Sequence, residues 1–197
     1  MKLKNVFLVL IFTAAVFLTG CGGETVYKDG TAELKNAGIA ISFPEGWTVG
    51  VNDDAYELIS GKVDMGDAKE IKEMYEAVGA QILLSAQSSD DSVTVTVMQS
   101  EKGDMSAEEK LQLQHDNTVF NFRSLGFFTD SSIGEHEWGG VPGWLSVITA
   151  FDEEGGDCIT EGRQFYFERG EYVFALIVES VGGGKEDAGS IEISSTV

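Results

Sequence analysis

Near the C-terminal end runs Glu171-Tyr172-Val173-Phe174-Ala175-Leu176-Ile177-Val178-Glu179-Ser180. Side chains of a β-strand alternate between its two faces. Tyr172, Phe174, Leu176 and Val178 therefore share one face, and Val173, Ala175 and Ile177 share the other. Both faces are apolar, so this strand belongs inside a sheet covered on both sides. Its neighbours fix the kind of sheet. Residues 143–151 and 158–168 read as a hairpin over Asp152-Glu153-Glu154-Gly155-Gly156-Asp157, and Arg169-Gly170 turns the chain into Glu171. Hairpins demand antiparallel pairing. Helices are expected to supply the cover. The expected fold is α+β, a three-layer α/β/α sandwich with a central antiparallel sheet.

The earlier elements fit that plan. Residues 31–35 and 39–43 read as strands around Asn36-Ala37-Gly38, and Pro44 with Gly46 ends the second. Asp67 can cap a helix, with Glu70 three residues on to complete a capping box. Ile71, Met74, Tyr75 and Val78 then form one apolar stripe, and Gly79 stops the helix. Residues 81–87 and 92–98 follow as strands. Ser106 and Glu109 open a longer helix. Its core face is expected to carry Leu111, His115, Thr118, Phe122 and Leu125, with Gly126 at its end. Residues 133–138 read as a strand. The ending, 185–197, is open between a short helix and an edge strand: Ile191 and Ile193 alternate as in a strand, while Lys185-Glu186-Asp187-Ala188 suits a helix start.

At the N-terminus, Lys2 and Lys4 precede an apolar run from Val6 to Leu18. A run this long suits a signal peptide and is too short to span a bilayer. It closes on Leu18-Thr19-Gly20-Cys21, which resembles the lipobox of bacterial lipoproteins. The resemblance implies that the Cys21 thiol receives a diacylglyceryl group and that Cys21 becomes the mature first residue. Two or three acyl chains give stable anchoring where one does not. Residues 1–20 are then a cleaved signal peptide, 21–30 a lipidated N-terminus with a short tether, and 31–197 one globular domain. The expected location is the extracytoplasmic face of the cell membrane.

Ile41-Ser42-Phe43-Pro44-Glu45-Gly46-Trp47 resembles the strand and Pro-x-Gly-Trp opening of PsbP-like domains. The order of later elements also resembles that family. It includes a glycine-marked strand at Gly139-Gly140-Val141-Pro142-Gly143-Trp144. The resemblance implies an antiparallel sheet between helices. It also implies a role in binding or assembly without a shared catalytic site, so no functional residue is carried over.

Charge narrows the partners. The precursor has 13 basic and 33 acidic residues, a formal charge of −20. Cleavage after Gly20 removes two lysines and no acid. Such a domain repels nucleic acid and anionic headgroups. The expected partners are the membrane, through Cys21, and an envelope protein. With Cys21 given to lipid, Cys158 is the one cysteine left, so no internal disulfide is expected.

Motifs for chemistry are sparse. No cofactor, catalytic group or metal set is expected. His115 reads as a structural residue on a helix core face. His136 stands between Glu135 and Glu137 on a strand, so alternation separates it from both. Residues 152–157 lack the spacing of a calcium loop, and Asp64, Asp67 and Glu70 suit a helix start. Leu113, Phe120 and Phe127 are candidates for a second apolar stripe. That stripe is either a partner surface or is covered by a loop such as 51–61. The leading expectation is a non-enzymatic binding or assembly lipoprotein. The alternatives are a small-ligand or cation carrier with a pocket between sheet and helix, and a carboxylate-based hydrolase.

Overall fold

A computed structural model of the chain describes residues 25–61, 66–182 and 191–196. Cys21, the tether up to Glu24, Asp64 and residues 185–190 lie outside the described residues.

The described chain builds two antiparallel sheets and three helices. A small sheet contains β1 (Thr25–Lys28), β2 (Thr31–Leu34), β3 (Ile39–Ser42) and β11 (Glu192–Ser195), in the order β1-β2-β3-β11. A large sheet contains β4 (Thr48–Val51), β5 (Ala80–Gln87), β6 (Val93–Glu101), β7 (Phe128–Trp138), β8 (Val141–Phe151), β9 (Cys158–Arg169) and β10 (Tyr172–Val181). Its order is β4-β5-β6-β10-β9-β8-β7. The helices are α1 (Asp53–Ser60), α2 (Ala68–Ala77) and α3 (Ala107–Ser124). Among the described residues, no helix is long and apolar enough to cross a membrane.

The apolar run at 171–180 is the middle strand of the large sheet, as its two faces require. Val173, Ala175 and Ile177 pack with Ile71 and Tyr75 of α2, Tyr56 and Ile59 of α1, and Leu111 of α3. Phe174, Leu176 and Val178 pack with Ala32, Leu34, Ile39 and Ile41 of the small sheet. The α+β class and the three layers around a central antiparallel sheet therefore stand. All three helices contribute to the core on one face, and the small sheet covers the other. Aromatic rings stiffen the second interface. Phe165 stacks on Phe167 at 5.6 Å between centroids, and Phe167 stacks on Phe174 at 5.3 Å.

Local chemistry sets the element ends. Asp67 accepts from the Glu70 N–H at 2.9 Å while Glu70 accepts from the Asp67 N–H at 3.1 Å. Ser106 and Glu109 repeat this reciprocal cap on α3. Each satisfies donors that a helix start leaves open. In β5 the register slips between Ile82 and Leu84. The Ile82 N–H turns to α1 and donates to Tyr56 Oη at 2.9 Å. The bulge is thereby tied to the helix layer.

Three segments depart from the sequence reading. Thr25–Lys28, read within the tether, is a strand paired with β2 from Thr25↔Leu34 to Lys28↔Thr31. Residues 51–61, read as a loop, hold the last residue of β4 and the whole of α1. The strand expected at 133–138 begins at Phe128. The open ending is settled for its described part: β11 pairs antiparallel with β3.

Phe174 is 0% exposed at the centre of the second interface. Phe174→Ala removes that ring, at a cost of about 3–5 kcal/mol. The urea midpoint should fall accordingly, while Leu125→Ala, at a 43% exposed position, should leave it nearly unchanged. Similar losses in both variants would contradict this packing.

Candidate functional site

Three places on the domain bear on function: a buried polar row, a groove and an exposed apolar face. The polar row crosses the helix-facing side of the large sheet. Ser85, Thr96, Ile177, Gln164 and Ser146 lie opposite one another on β5, β6, β10, β9 and β8 in turn. Over its end sits His115 of α3, whose Nδ1 is 2.8 Å from Ser146 Oγ in a hydrogen bond. A hydroxyl bonded to an imidazole is part of a hydrolase's nucleophile machinery. Here Ser146 is 0% exposed, and no substrate carbonyl reaches it in this conformation. The pair ties α3 to β8. Burial holds the His115 imidazole below the ordinary histidine range, with the Asp116 carboxylate opposing that shift.

Between α3 and the sheet lies a cavity of about 40 Å³, lined by Met98, Lys110, Gln114, Tyr166 and Val173 among others. It is far below the ~300–1,000 Å³ of small-molecule sites. The space suits a few waters at most.

An open groove of about 670 Å³ runs beside the β7–β8 hairpin, lined by Glu135, His136, Glu137, Trp144, Glu168 and Arg169 among others. The expected alternation holds. Glu135 stands opposite Trp144, which packs on the helix side, while the His136 ring meets Phe165 on the small-sheet side at 6.2 Å. The groove gathers three glutamates, the convergence a carboxylate hydrolase would need. Glu168 is already engaged: it accepts from Lys102 Nζ and, at 2.9 Å, from the Ala107 N–H at the start of α3. The Lys102 hydrogen bond, then that of Ala107, holds its carboxyl below the usual range. A general acid needs a raised value instead.

The third place is the outer face of α3. Leu111, Gln114, His115, Thr118 and Phe122 are buried beneath the helix. Leu113 is 41% and Phe120 68% exposed. They stand seven residues apart, on one stripe of the helix. Residues 51–61 do not cover that stripe: α1 packs on β4, β5 and α2. Phe127 is half-buried instead, with its ring edge on Phe122 at 6.0 Å. Leu125 departs from its expected core place, because it caps the helix and faces solvent. Phe128, exposed at the head of β7, was not singled out by sequence. Its position becomes readable only once the strand is known to start there. Among the described residues, no cluster of three or more His, Cys, Asp or Glu side chains has the arrangement of a metal site. Cys158 is half-buried at the start of β9.

No protein-family model matches the chain, and no curated protein matches its sequence. Among solved structures, it is similar to the cyanobacterial PsbP of Synechocystis sp. PCC 6803, with 12% identity and a TM-score of 0.43 over 89% of this chain and 98% of that one. It is also similar to LpqN of Mycobacterium tuberculosis, which is involved in cell envelope biogenesis. That match has 12% identity and a TM-score of 0.43 over 79% of this chain and 83% of that one.

The lowered His115 value links folding to pH. The unfolded chain takes a proton on this ring near pH ~6.5, and the folded chain takes it only at lower pH. The contribution is therefore complete above that point and declines as pH falls through the folded value. Urea midpoints measured at pH 7 and pH 5 should drop more for the natural chain than for His115→Asn. Equal drops would show that the ring carries no such linkage.

Proposed function

We propose that the protein is a lipoprotein held at the extracytoplasmic face of the membrane through Cys21, and that it binds or helps assemble an envelope protein without catalysing a reaction. The anchor reading rests on Lys2, Lys4, the apolar run and Leu18-Thr19-Gly20-Cys21. Thr25, the first residue of β1, comes four residues after Cys21. Such a tether spans at most ~14 Å, so the domain works close to the bilayer surface.

The observation that carries the binding role is the exposed pair Leu113 and Phe120 on α3. Apolar area left in water gains about 25 cal/mol per Å² when a partner covers it. Exposed aromatic side chains are the usual anchors of protein interfaces. Phe127, tied to Phe122, contributes less surface, so the proposed contact is carried by Leu113 and Phe120. The negative charge favours a partner with a cationic surface and disfavours nucleic acid.

Two measurements test the two parts separately. Mass spectrometry of the mature protein should find a diacylglyceryl-modified Cys21 at the N-terminus, and Cys21→Ala should move the protein out of the membrane fraction. An unmodified terminus, or one starting elsewhere, ends the anchor reading. Crosslinking in native membranes should yield a reproducible envelope partner. Phe120→Asp should cut its capture at least tenfold with no change in thermal midpoint. Unchanged capture removes this helix face from the site.

A further inference from the structure

The large sheet has two edges, and they are finished differently. At one edge β4 is four residues long and leads directly into α1. A Cβ at Gly50 would stand 2.4 Å from the Asp54 carbonyl oxygen, so tightly does the first turn of α1 close on that strand. At the other edge β7 runs for 11 residues and ends the strand order. Its register with β8 is unbroken from Phe128↔Phe151 to Trp138↔Val141. Natural sheets protect such edges with short strands, bulges, proline or charge. β7 has no bulge, proline or lysine, and its charged residues are all acidic.

The hairpin turn tells which backbone groups face outward. Gly139 and Gly140 connect the strands with φ of 60° and 81°, the geometry of a two-residue type I′ turn. Trp138 and Val141 are then a hydrogen-bonded pair, and pairs alternate along the ladder. Residues 138, 136, 134, 132, 130 and 128 point their backbone groups at β8. Thr129, Ser131, Ile133, Glu135 and Glu137 point theirs away from the sheet. Among the described residues, no strand pairs with this outer edge.

Charge selects what fits there. β7 carries Asp130, Glu135 and Glu137 and neither Lys nor Arg, and β8 carries no charged residue. Glu135 and Glu137 line the groove beside Trp144 and Glu168. Two cations are near, and the acidic groups of the groove outnumber the one that lines it. Arg169 lines the groove, and Arg123 donates to Thr129 Oγ1 at 3.1 Å at the far end of the strand. A second copy would bring the same acidic edge on a chain of formal charge −20, which disfavours self-pairing.

We propose that the outer edge of β7 docks an extended, basic segment of a partner protein, which adds to the large sheet as an eighth strand. Backbone hydrogen bonds to the five outward residues would give affinity. Lys or Arg at alternate positions would lie over Glu135 and Glu137, with aliphatic stems against Trp144. This names the partner's chemistry within the binding role proposed above, through a surface separate from Leu113 and Phe120.

The test is amide hydrogen exchange by NMR on the mature chain in detergent micelles, with an acetylated, amidated decapeptide of alternating Lys and Thr as probe. In the free protein the amides of residues 129, 131, 133, 135 and 137 should exchange rapidly. At millimolar peptide their exchange should slow at least tenfold, and a Glu/Thr decapeptide should have no effect. Ser131→Pro deletes an outward N–H, which an edge strand tolerates, and should weaken peptide binding at least tenfold. If that variant fails to fold, a Lys/Thr peptide N-methylated at alternate residues should fail to protect the natural chain. No protection by the Lys/Thr peptide, or equal protection by the Glu/Thr peptide, overturns the proposal. Odd-residue amides already protected in the free protein, together with a sedimenting dimer, also overturn it and assign the edge to a second copy. None of these readouts depends on Cys21 or Phe120, so failure here leaves the anchor and the α3 surface to be judged by their own tests.

Discussion

β10 has no polar face, and the rest of the domain is arranged around that fact. Phe174 and Leu176 look one way, Val173 and Ile177 the other, and all four are buried. A strand of this kind is stable only where two layers exclude water from it. β9, joined to it by a hairpin, and β6, which pairs with it from far along the chain, flank it, and the helices close one side. The other side falls to a sheet made from the two ends of the chain: β1 to β3 from the N-terminal part and β11 from the C-terminal part. Chain ends that meet across a core make non-local contacts. Their ordering has to be offset by apolar area, which Ile39, Ile41, Leu34 and Ile191 provide.

Much of this was legible because it is local. Capping boxes at Asp67 and Ser106 are written within four residues, and the geometry reproduces both. The alternation of residues 172–178 states double-sided burial outright. What could not be read depends on distant partners. The alternation at 31–35 and 39–43 marks strands, but nothing nearby says that they leave the large sheet and cover it. β1 buries only Thr25 of its four residues, so it carries no pattern against a tether. The helix α1 follows Asn52 in a left-handed conformation, φ 54°, which no cap signal announces. The first half of β7, Phe128 to Ser132, is polar after its opening ring because an edge strand need not be apolar.

The candidate surfaces divide in the same way. The stripe of Leu113 and Phe120 follows from helical spacing alone. The groove beside Trp144 brings Glu168 next to Glu135 and Glu137 only through strand pairing, which no local motif records. The polar row from Ser85 to Ser146 is likewise a property of register. At its end the Ser146 hydroxyl meets His115 of α3, a bond that an apolar layer would not make. Buried polar contacts of this kind favour one position over neighbouring ones.

Asn52 also reaches across to the small sheet. Its side-chain amide donates to the Thr25 carbonyl at 2.9 Å and accepts from the Thr25 N–H at 3.4 Å. Thr25 is the first described residue and opens β1, so a pull applied there loads the Asn52 side chain and the β1–β2 pairing together. The load is divided between that side-chain clasp and the four residue pairs of β1 with β2. The clasp bears directly on the large sheet, because Asn52 follows β4 and its N–H donates to the Leu83 carbonyl of β5 at 3.0 Å. A pull at Thr25 is therefore shared between the two sheets and is not borne by one ladder alone.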